Sequence, residues 1–413
     1  MIITVTPNPA LDLTWHVASL AVGSTHRADA GVARAGGKGL NVARVAHAQG
    51  ASALAVTTAG GETGEEFAAE LGASGVPHVL VPVAASTRRS IALVDEALGD
   101  TTVVNEYGIA PTAVEWTALT DAVTAALTAA SREKPHSAQE TTSAQVSHAG
   151  SGFSRADAGA SDVLVISGSF PPGTPDDLLP ALIRLGRDAG ASVIVDTSGP
   201  SLLVAADAGA SVLKPNEHEL RDATGLDDPI TGAQELLRRG AELVLLSLGA
   251  EGMLAVSLSA DDGTGADTPH VGRIPASGPT SGVSAPEMDA VTAGTGPDAV
   301  TAVPERDAVT AVPERDAARA ATAVGALSIL HARLDTPLAG NPTGAGDAAV
   351  AACAVLMDAG IRDPEQILRR ATAWSAAAVL MPLAGERSTS PGPTSSTPSP
   401  SGPGPRRHLL HET

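Results

Sequence analysis

Short apolar runs that end abruptly in small or polar residues constrain this chain more than any other feature. Residues 2–6, 163–166, 193–195 and 243–246 are aliphatic or β-branched almost throughout. They are too short for helices and lack the alternation of a half-exposed strand. Each therefore reads as a strand buried on both faces, as in a parallel sheet covered by helices. Residues 62–73, 111–130, 175–189 and 232–239 supply helical stretches between or beside such runs. The pattern predicts an α/β fold, and the length suits one large domain or two smaller ones. The strand ends carry Ser167-Gly168-Ser169, Asp196, Lys214-Pro215-Asn216 and Ser247-Leu248-Gly249. Ligands of open α/β sheets bind outside the carboxyl ends of the strands, so these loops are where a site is expected.

Two glycine turns open helices in that frame. The first is Gly36-Gly37-Lys38-Gly39-Leu40-Asn41, followed by Val42, Val45 and Ala46 at helical spacing. It misses the Walker pattern because Gly39, not Ser or Thr, follows Lys38. On its own it fits a tight turn as well as a ligand loop. The second is Asn341-Pro342-Thr343-Gly344-Ala345-Gly346-Asp347, which runs into ten small apolar residues, Ala348 to Met357. That run is apolar on every side and reads as a buried helix. Its N-terminus offers unpaired N–H groups and a favourable dipole to an anion. A carboxylate there repels an anion unless it has a task, and the natural task for Asp347 is to take a proton from a hydroxyl attacking a bound phosphate.

The basic residues are distributed unevenly. Lysine occurs only at Lys38, Lys134 and Lys214, and two of these three lie in motif-like stretches. A compact ammonium ion suits point contact with a phosphate or a sugar hydroxyl. Thr87-Arg88-Arg89-Ser90 stands at the foot of a predicted hairpin, residues 91–95 and 101–106. The arginines fit either a solvated sheet edge or a grip on a substrate phosphate. Asn216 and Glu219, three apart, fit either a helix cap or hard oxygen ligands for Mg²⁺, reached through water. No histidine pair has zinc spacing. Gly344-x-Gly346-x-x-Ala349 also matches a relaxed dinucleotide fingerprint, but that motif belongs to a first βαβ unit with an acid closing the second strand. Here it falls late in the chain, and Asp363 and Glu365 look like a helix start.

A formal net charge of −20 argues against a nucleic-acid or anionic-membrane partner and requires a local basic pocket for an anionic substrate. The one cysteine, Cys353, excludes a disulfide within the chain. The N-terminal apolar run has no basic stretch before it, unlike a signal peptide, and no run is long enough to span a bilayer, so the expected location is the cytoplasm. Residues 131–160 and 257–315 read as disordered insertions, and 386–413 as a disordered Ser/Pro/Gly-rich tail. The second insertion repeats Asp-Ala-Val-Thr-Ala-Val-Pro-Glu-Arg at 298–306 and 307–315. Residues 13–32 are expected to form small strands, 317–330 a helix by composition, and 364–379 an amphipathic helix.

The two glycine turns resemble the paired signatures of the ribokinase-like, phosphofructokinase-B carbohydrate kinases. Thr-Pro-Asn-Pro-Ala-Leu-Asp at 6–12 is similar to the 1-phosphofructokinase and tagatose-6-phosphate kinase branch. So are Thr87-Arg88, Asn105-Glu106, Ser167-Gly168-Ser169-x-Pro171-x-Gly173, Asp196-Thr197-Ser198 and Lys214-Pro215-Asn216-x-x-Glu219-Leu220. The resemblance implies a ribokinase-like three-layer fold, a mostly parallel sheet between helices, over 1–385. It also implies a small β-lid from about 12–35 and 87–106. Asp347 would be the catalytic base, with the amides of Gly344, Ala345 and Gly346 on the transferring phosphate. Asp12, Gly37, Lys38 and Asn41 would bind the sugar, and Arg88 its phosphate. Lys214 and the loop of Ser247, Gly249, Ala250, Glu251 and Gly252 would hold ATP, and Asn216 and Glu219 would organise Mg²⁺. The activity implied is ATP-dependent phosphorylation of fructose 1-phosphate to fructose 1,6-bisphosphate. Tagatose 6-phosphate or a broader range of hexose phosphates is the close alternative, and a non-catalytic sugar-phosphate sensor the remote one. A homodimer through the lid edge is expected by the same analogy.

Overall fold

The computed structural model describes residues 1–133, 161–258, 309–310, 327–334, 338, 340 and 343–380. The first part of the chain forms β1 (Ile2–Thr6), β2 (Ala10–Val17), β3 (Val32–Gly36), α1 (Lys38–Ala48), β4 (Ala53–Ala59), α2 (Gly61–Ala73) and β5 (His78–Pro82). There follow β6 (Arg88–Asp95), β7 (Asp100–Asn105), α3 (Ala113–Glu133), β8 (Val163–Ser167), α4 (Leu178–Asp188), β9 (Ser192–Asp196) and α5 (Pro200–Asp207). Next come β10 (Val212–Leu213), α6 (Glu217–Thr224), α7 (Pro229–Arg239), β11 (Leu243–Ser247) and β12 (Met253–Leu258). Last are β13 (Val309–Thr310), β14 (Leu327–Leu334), α8 (Ala345–Asp358) and α9 (Pro364–Val379).

One large sheet has the order β13-β14-β12-β11-β10-β9-β8-β1-β4-β5. From β11 to β5 every neighbouring pair is parallel. Strands β1, β8 and β9 are buried at every residue, as parallel strands covered on both faces must be. Successive side chains point to opposite faces. Ile3, Val5, Leu164 and Val195 pack toward Leu119, Leu182 and Leu236 of α3, α4 and α7. Ile2, Val163, Val165 and Ile194 pack toward Val42, Val350 and Leu368 of α1, α8 and α9. The alanines of α8 leave it thin enough to sit deep against the sheet, and Ala349 to Ala354 are wholly buried. Cys353 lies there too, and burial pushes its thiol up to about 12, an unreactive state.

The second sheet has the order β3-β2-β6-β7, with β2 and β6 parallel and the outer pairs antiparallel. It matches the segments expected to make a lid, with one difference. Between Val17 and Val32 there is no strand, because Gly23, Ser24, Asp29 and Gly31 break any alternating pattern.

The antiparallel edge of the large sheet corrects two expectations. The predicted helix over 317–330 gives way at Leu327–Leu334 to a strand that pairs with Met253–Leu258. Partners along that edge override the helical composition, as tertiary context commonly does. Ser257 and Leu258 complete β12 instead of starting an insertion, and residues 131–133 complete α3. Val309 and Thr310, within the second repeat, pair with Leu334 and Arg333. Residues 134–160, 259–308, 311–315 and 386–413, expected to be disordered, lie outside the described residues, as do Asn341 and Pro342.

Candidate active site

The parallel run of strands sends the turns after β1, β8, β9, β10 and β11 to one end of the sheet, and α1 and α8 start at that same end. At the start of α8, Gly344 has φ 85°, a left-handed conformation suited to glycine. The first intrahelical bond runs from the Ala348 amide to the Gly344 carbonyl, 2.9 Å. The N–H groups of Ala345, Gly346 and Asp347 thus have no acceptor within the helix and point toward its mouth.

Asp347 is 7% exposed, and its Oδ2 accepts a hydrogen bond from Asn41 Nδ2 of α1 at 2.9 Å. Burial, and next the nearby Asp196 carboxylate, push its pKa up to about 7 against the pull of Asn41, Lys38 and Lys214. A carboxylate that titrates near neutrality has the proton affinity a general base needs.

Asp196 closes β9 and is buried. Its Oδ1 faces both Lys38 Nζ, 3.4 Å away, and Lys214 Nζ, 3.8 Å away, while Oδ2 accepts the Ser167 hydroxyl at 3.1 Å. Burial alone would raise this carboxyl, but the two ammonium groups and the hydroxyl together hold it below the ordinary range. Lys38 is held protonated chiefly by Asp196, then by Glu219 and Asp347. The side chain of Lys38 is 40% exposed and that of Lys214 only 5%. One cation is therefore presented and the other lies beneath. Lys214 sits behind the second glycine turn, its Nζ 3.2 Å from where a Cβ of Gly346 would be.

On the lid side, the Asp12 carboxylate lies flat on Gly36, where a Cβ would come within 1.8 Å of its Oδ2. Burial raises Asp12 to about 6, opposed by Arg88, Arg34, the Ser90 hydroxyl and Arg44. Strand alternation separates the two arginines of β6: Arg88 is half-buried and Arg89 exposed. Arg88 donates to the carbonyl oxygens of Asn8 (Nη2, 3.3 Å) and Glu106 (Nη1, 3.2 Å). It borders a cleft lined also by Asn8, Ser86, Thr87, Ile109 and Pro171. Asn8 crosses this cleft, donating to Ser169 Oγ at 3.2 Å and to the Tyr107 carbonyl at 3.1 Å.

On the opposite side, Ser247 ends β11, and Gly249–Glu251 forms a single 3₁₀ turn. The Ser247 amide bonds the Pro215 carbonyl at 3.1 Å, which seats this loop beside Lys214. Gly252 packs on the Ala332 carbonyl, and the Glu251 carboxylate turns to Arg333 at 3.2 Å. Asn216 and Glu219 cap α6 reciprocally. Asn216 Oδ1 accepts from the Glu219 amide at 2.8 Å, and Glu219 Oε2 accepts from the Asn216 amide at 2.9 Å. Glu219 Oε1 is turned to the site, 3.6 Å from Lys38 Nζ. Among the described residues no three His, Cys, Asp or Glu side chains converge as a metal cage. The donor set fits a Mg²⁺ carried by nucleotide phosphates and water, with Glu219 as an outer partner, because such ions keep most of their waters.

The structure thus gathers Lys38 and Lys214 on Asp196, Glu219 on Lys38, and Asn41 on Asp347, the two groups coupled by charge, with Gly37, Asp12 and Arg88 on the lid side and the Ser247–Gly252 loop on the other. Sequence reasoning placed Ser167 and Asp196 at strand ends where a site is expected, and Asn8 in a family-like stretch, but gave none of the three a role. A charged residue closing the apolar run 193–195 is a signal for Asp196, since a buried carboxylate demands partners.

The pfkB family carbohydrate kinase pattern matches residues 8–132 and 105–339. Over 263 residues the chain is 35% identical to a 1-phosphofructokinase of Haloferax volcanii, a match covering 62% of this chain and 73% of that one. It is also 35% identical to an ATP-dependent 6-phosphofructokinase isozyme 2 of Mycobacterium tuberculosis, covering 61% and 67%. In architecture it is similar to phosphofructokinase-2 from Escherichia coli in complex with fructose-6-phosphate. That match has a TM-score of 0.61 and 24% identity, over 92% of this chain and 93% of the other. The fold is ribokinase-like, and the chain belongs to the pfkB family of carbohydrate kinases.

Proposed function

We propose that this phosphotransferase moves the γ-phosphoryl group of ATP to the free primary hydroxyl of fructose 1-phosphate, giving fructose 1,6-bisphosphate and ADP. The observation that carries this reading is Asp347, a buried carboxylate with a pKa of about 7, held by Asn41 at a helix N-terminus. The sugar hydroxyl attacks the γ-phosphorus as Asp347 takes its proton, and the bond to the β-phosphate oxygen breaks toward ADP. The amides of Ala345 to Asp347, with Gly344 shaping the turn, receive charge on the transferring group. Lys38, exposed and protonated, bridges sugar and phosphate. Lys214 adds positive charge from beneath, beside the Ser247, Gly249, Ala250, Glu251 and Gly252 loop that takes the nucleotide. Asp12, Gly37 and Asn41 orient the sugar, and Arg88 takes the phosphate it already carries. Glu219, fixed by Asn216, would hold through water a Mg²⁺ brought with ATP, which would supply neutralising charge to the phosphates.

A second reading, transfer to fructose 6-phosphate, is favoured by the Mycobacterium tuberculosis relative, whose identity equals that of the Haloferax volcanii protein. A coupled ADP-release assay with fructose 1-phosphate, fructose 6-phosphate and tagatose 6-phosphate separates the readings. The first predicts kcat/KM highest for fructose 1-phosphate; comparable values for all three would contradict it, and ligand binding with no ADP would indicate a sensor.

The whole of 1–385 is read as one kinase domain, acting in the cytoplasm. No described helix is long and apolar enough to cross a membrane. Val32 and Val103, exposed and in one register row on the same face of the lid sheet, support a homodimer through that sheet.

A further inference from the structure

At the root of the lid, a strand edge is closed by side chains. β3 is the outer strand of the lid sheet, and Ala35, its wholly buried penultimate residue, is opposite Leu11 of β2. Both backbone groups of Ala35 turn away from β2. Its N–H donates to Glu70 Oε2 of α2 at 2.8 Å, and its carbonyl accepts from Arg44 Nη2 of α1 at 3.1 Å. The same Arg44 nitrogen donates to Glu70 Oε2 at 2.6 Å. Together the pair offers Ala35 one acceptor and one donor, as a neighbouring strand would.

The pair is not a loose surface bridge. The Arg44 side chain is 10% exposed and that of Glu70 28%. Arg44 Nε is buried without a partner among the described residues, a cost accepted so that the guanidinium tip can reach Ala35 and Glu70. The location matters more than the strength. Gly36, next in the chain, is the residue on which the Asp12 carboxylate rests. Gly37 caps α1, and Lys38 and Asn41, one at each end of its first turn, reach Asp196 and Asp347. Two residues therefore separate Ala35 from α1, the helix that carries Lys38, Asn41 and Arg44 itself.

We propose that Arg44 and Glu70 are positioning residues: they lock Ala35 at the junction of lid and core, and so set Asp12 and Gly36 in register with Lys38 and Asn41. Loosening the clip lets the lid root shift relative to α1, so it weakens sugar-phosphate binding before nucleotide binding. The mechanism rests on the kinase reading above, but the mechanical claim does not.

The test uses the full chain with Arg44→Gln and Glu70→Gln. Glu70→Gln keeps an amide oxygen for the Ala35 N–H, so it carries the test if Arg44→Gln does not fold. Amide hydrogen exchange of the free protein over residues 33–41 is expected to quicken, while the far end of α1 stays protected. KM for the fructose phosphate should rise about tenfold, within the reach of a small misplacement, with KM for ATP within about twofold. Arg44→Lys, which keeps the charge but loses the fork, should recover part of the loss. Unchanged exchange at 33–41, or a uniform rise across the molecule with both KM values moving together, would overturn the proposal and leave the pair as a general stabiliser. If the wild-type protein phosphorylates no hexose phosphate, the kinase reading fails, and the exchange arm alone still decides the clip.

Discussion

The two glycine turns meet at one site, yet they use glycine for different reasons. At the start of α1 the demand comes from packing. A Cβ on Gly37 would come within 2.6 Å of Thr6 Cγ2, and one on Gly39 within 2.7 Å of the Val5 carbonyl. These glycines let the helix dock onto the end of β1. At the start of α8, among the described residues, a Cβ on Gly346 would meet only the tip of Lys214, at 3.2 Å. The proposed function places an anion over that turn, where the nearest described cation is Lys214. One turn serves packing, and the proposed function gives the other to the reacting group. Their side chains are complementary too, with Lys38 and Asn41 on one and Asp347 on the other.

The largest effect expected from this contrast is at Asp347. Asp347→Asn should lower kcat by about a hundredfold or more, the usual scale for a positioned base, and near-normal turnover would mean that another group takes the proton. The same variant has a stability signature. The folded chain keeps the Asp347 proton up to about pH 7 instead of 3.8, so it binds more protons than the unfolded chain between those values. Stability contributed at this site therefore falls as pH rises across that window. Chemical denaturation at pH 4 and pH 7 should show the Asp347→Asn variant gaining on wild type as pH rises; a gap that does not change would place the carboxylate in a wetter setting.

The glycine comparison itself can be broken by a pair of substitutions. Gly39→Ala forces a methyl against backbone and should cost about 1–3 kcal/mol of stability, read as a lower denaturation midpoint. Gly346→Ala should hardly move that midpoint but should cut kcat/KM about tenfold or more, because the methyl displaces Lys214 and occupies phosphate space. Equal losses of stability would erase the distinction. A smaller effect is expected at Arg88→Lys, which keeps charge but loses the fork held between Asn8 and Glu106. KM for the sugar phosphate should rise severalfold, with kcat little changed.

Much of this was legible in the chain because it rests on local rules. The apolar β-branched runs fixed β1, β8, β9 and β11, and the run after Gly346 could only be a buried helix. The placement of Lys38, Lys214 and Asp347 was visible because lysine is rare and their neighbours are motif-like. What stayed hidden depended on partners distant in sequence. β14 is a strand because β12 is there to pair with it, while its own burial is only partial. Asp196 gains its meaning from two lysines on different loops. Arg44 and Glu70 look like ordinary helix-surface residues until Ala35 is seen between them. Asn216 and Glu219 show a third kind of difficulty, since a capping box and an outer metal partner share one spacing, and the structure shows the cap.

The central claim is that burial and Asp196 together poise Asp347 as a base near neutral pH, and the pH dependence of kcat/KM tests it most directly. Wild type should show an acid limb with an apparent pKa near 7. Asp196→Asn removes the negative neighbour and frees Lys38 and Lys214 to face Asp347, so the limb should move to lower pH. A limb that stays in place in Asp196→Asn, or that survives in Asp347→Asn, would contradict the account.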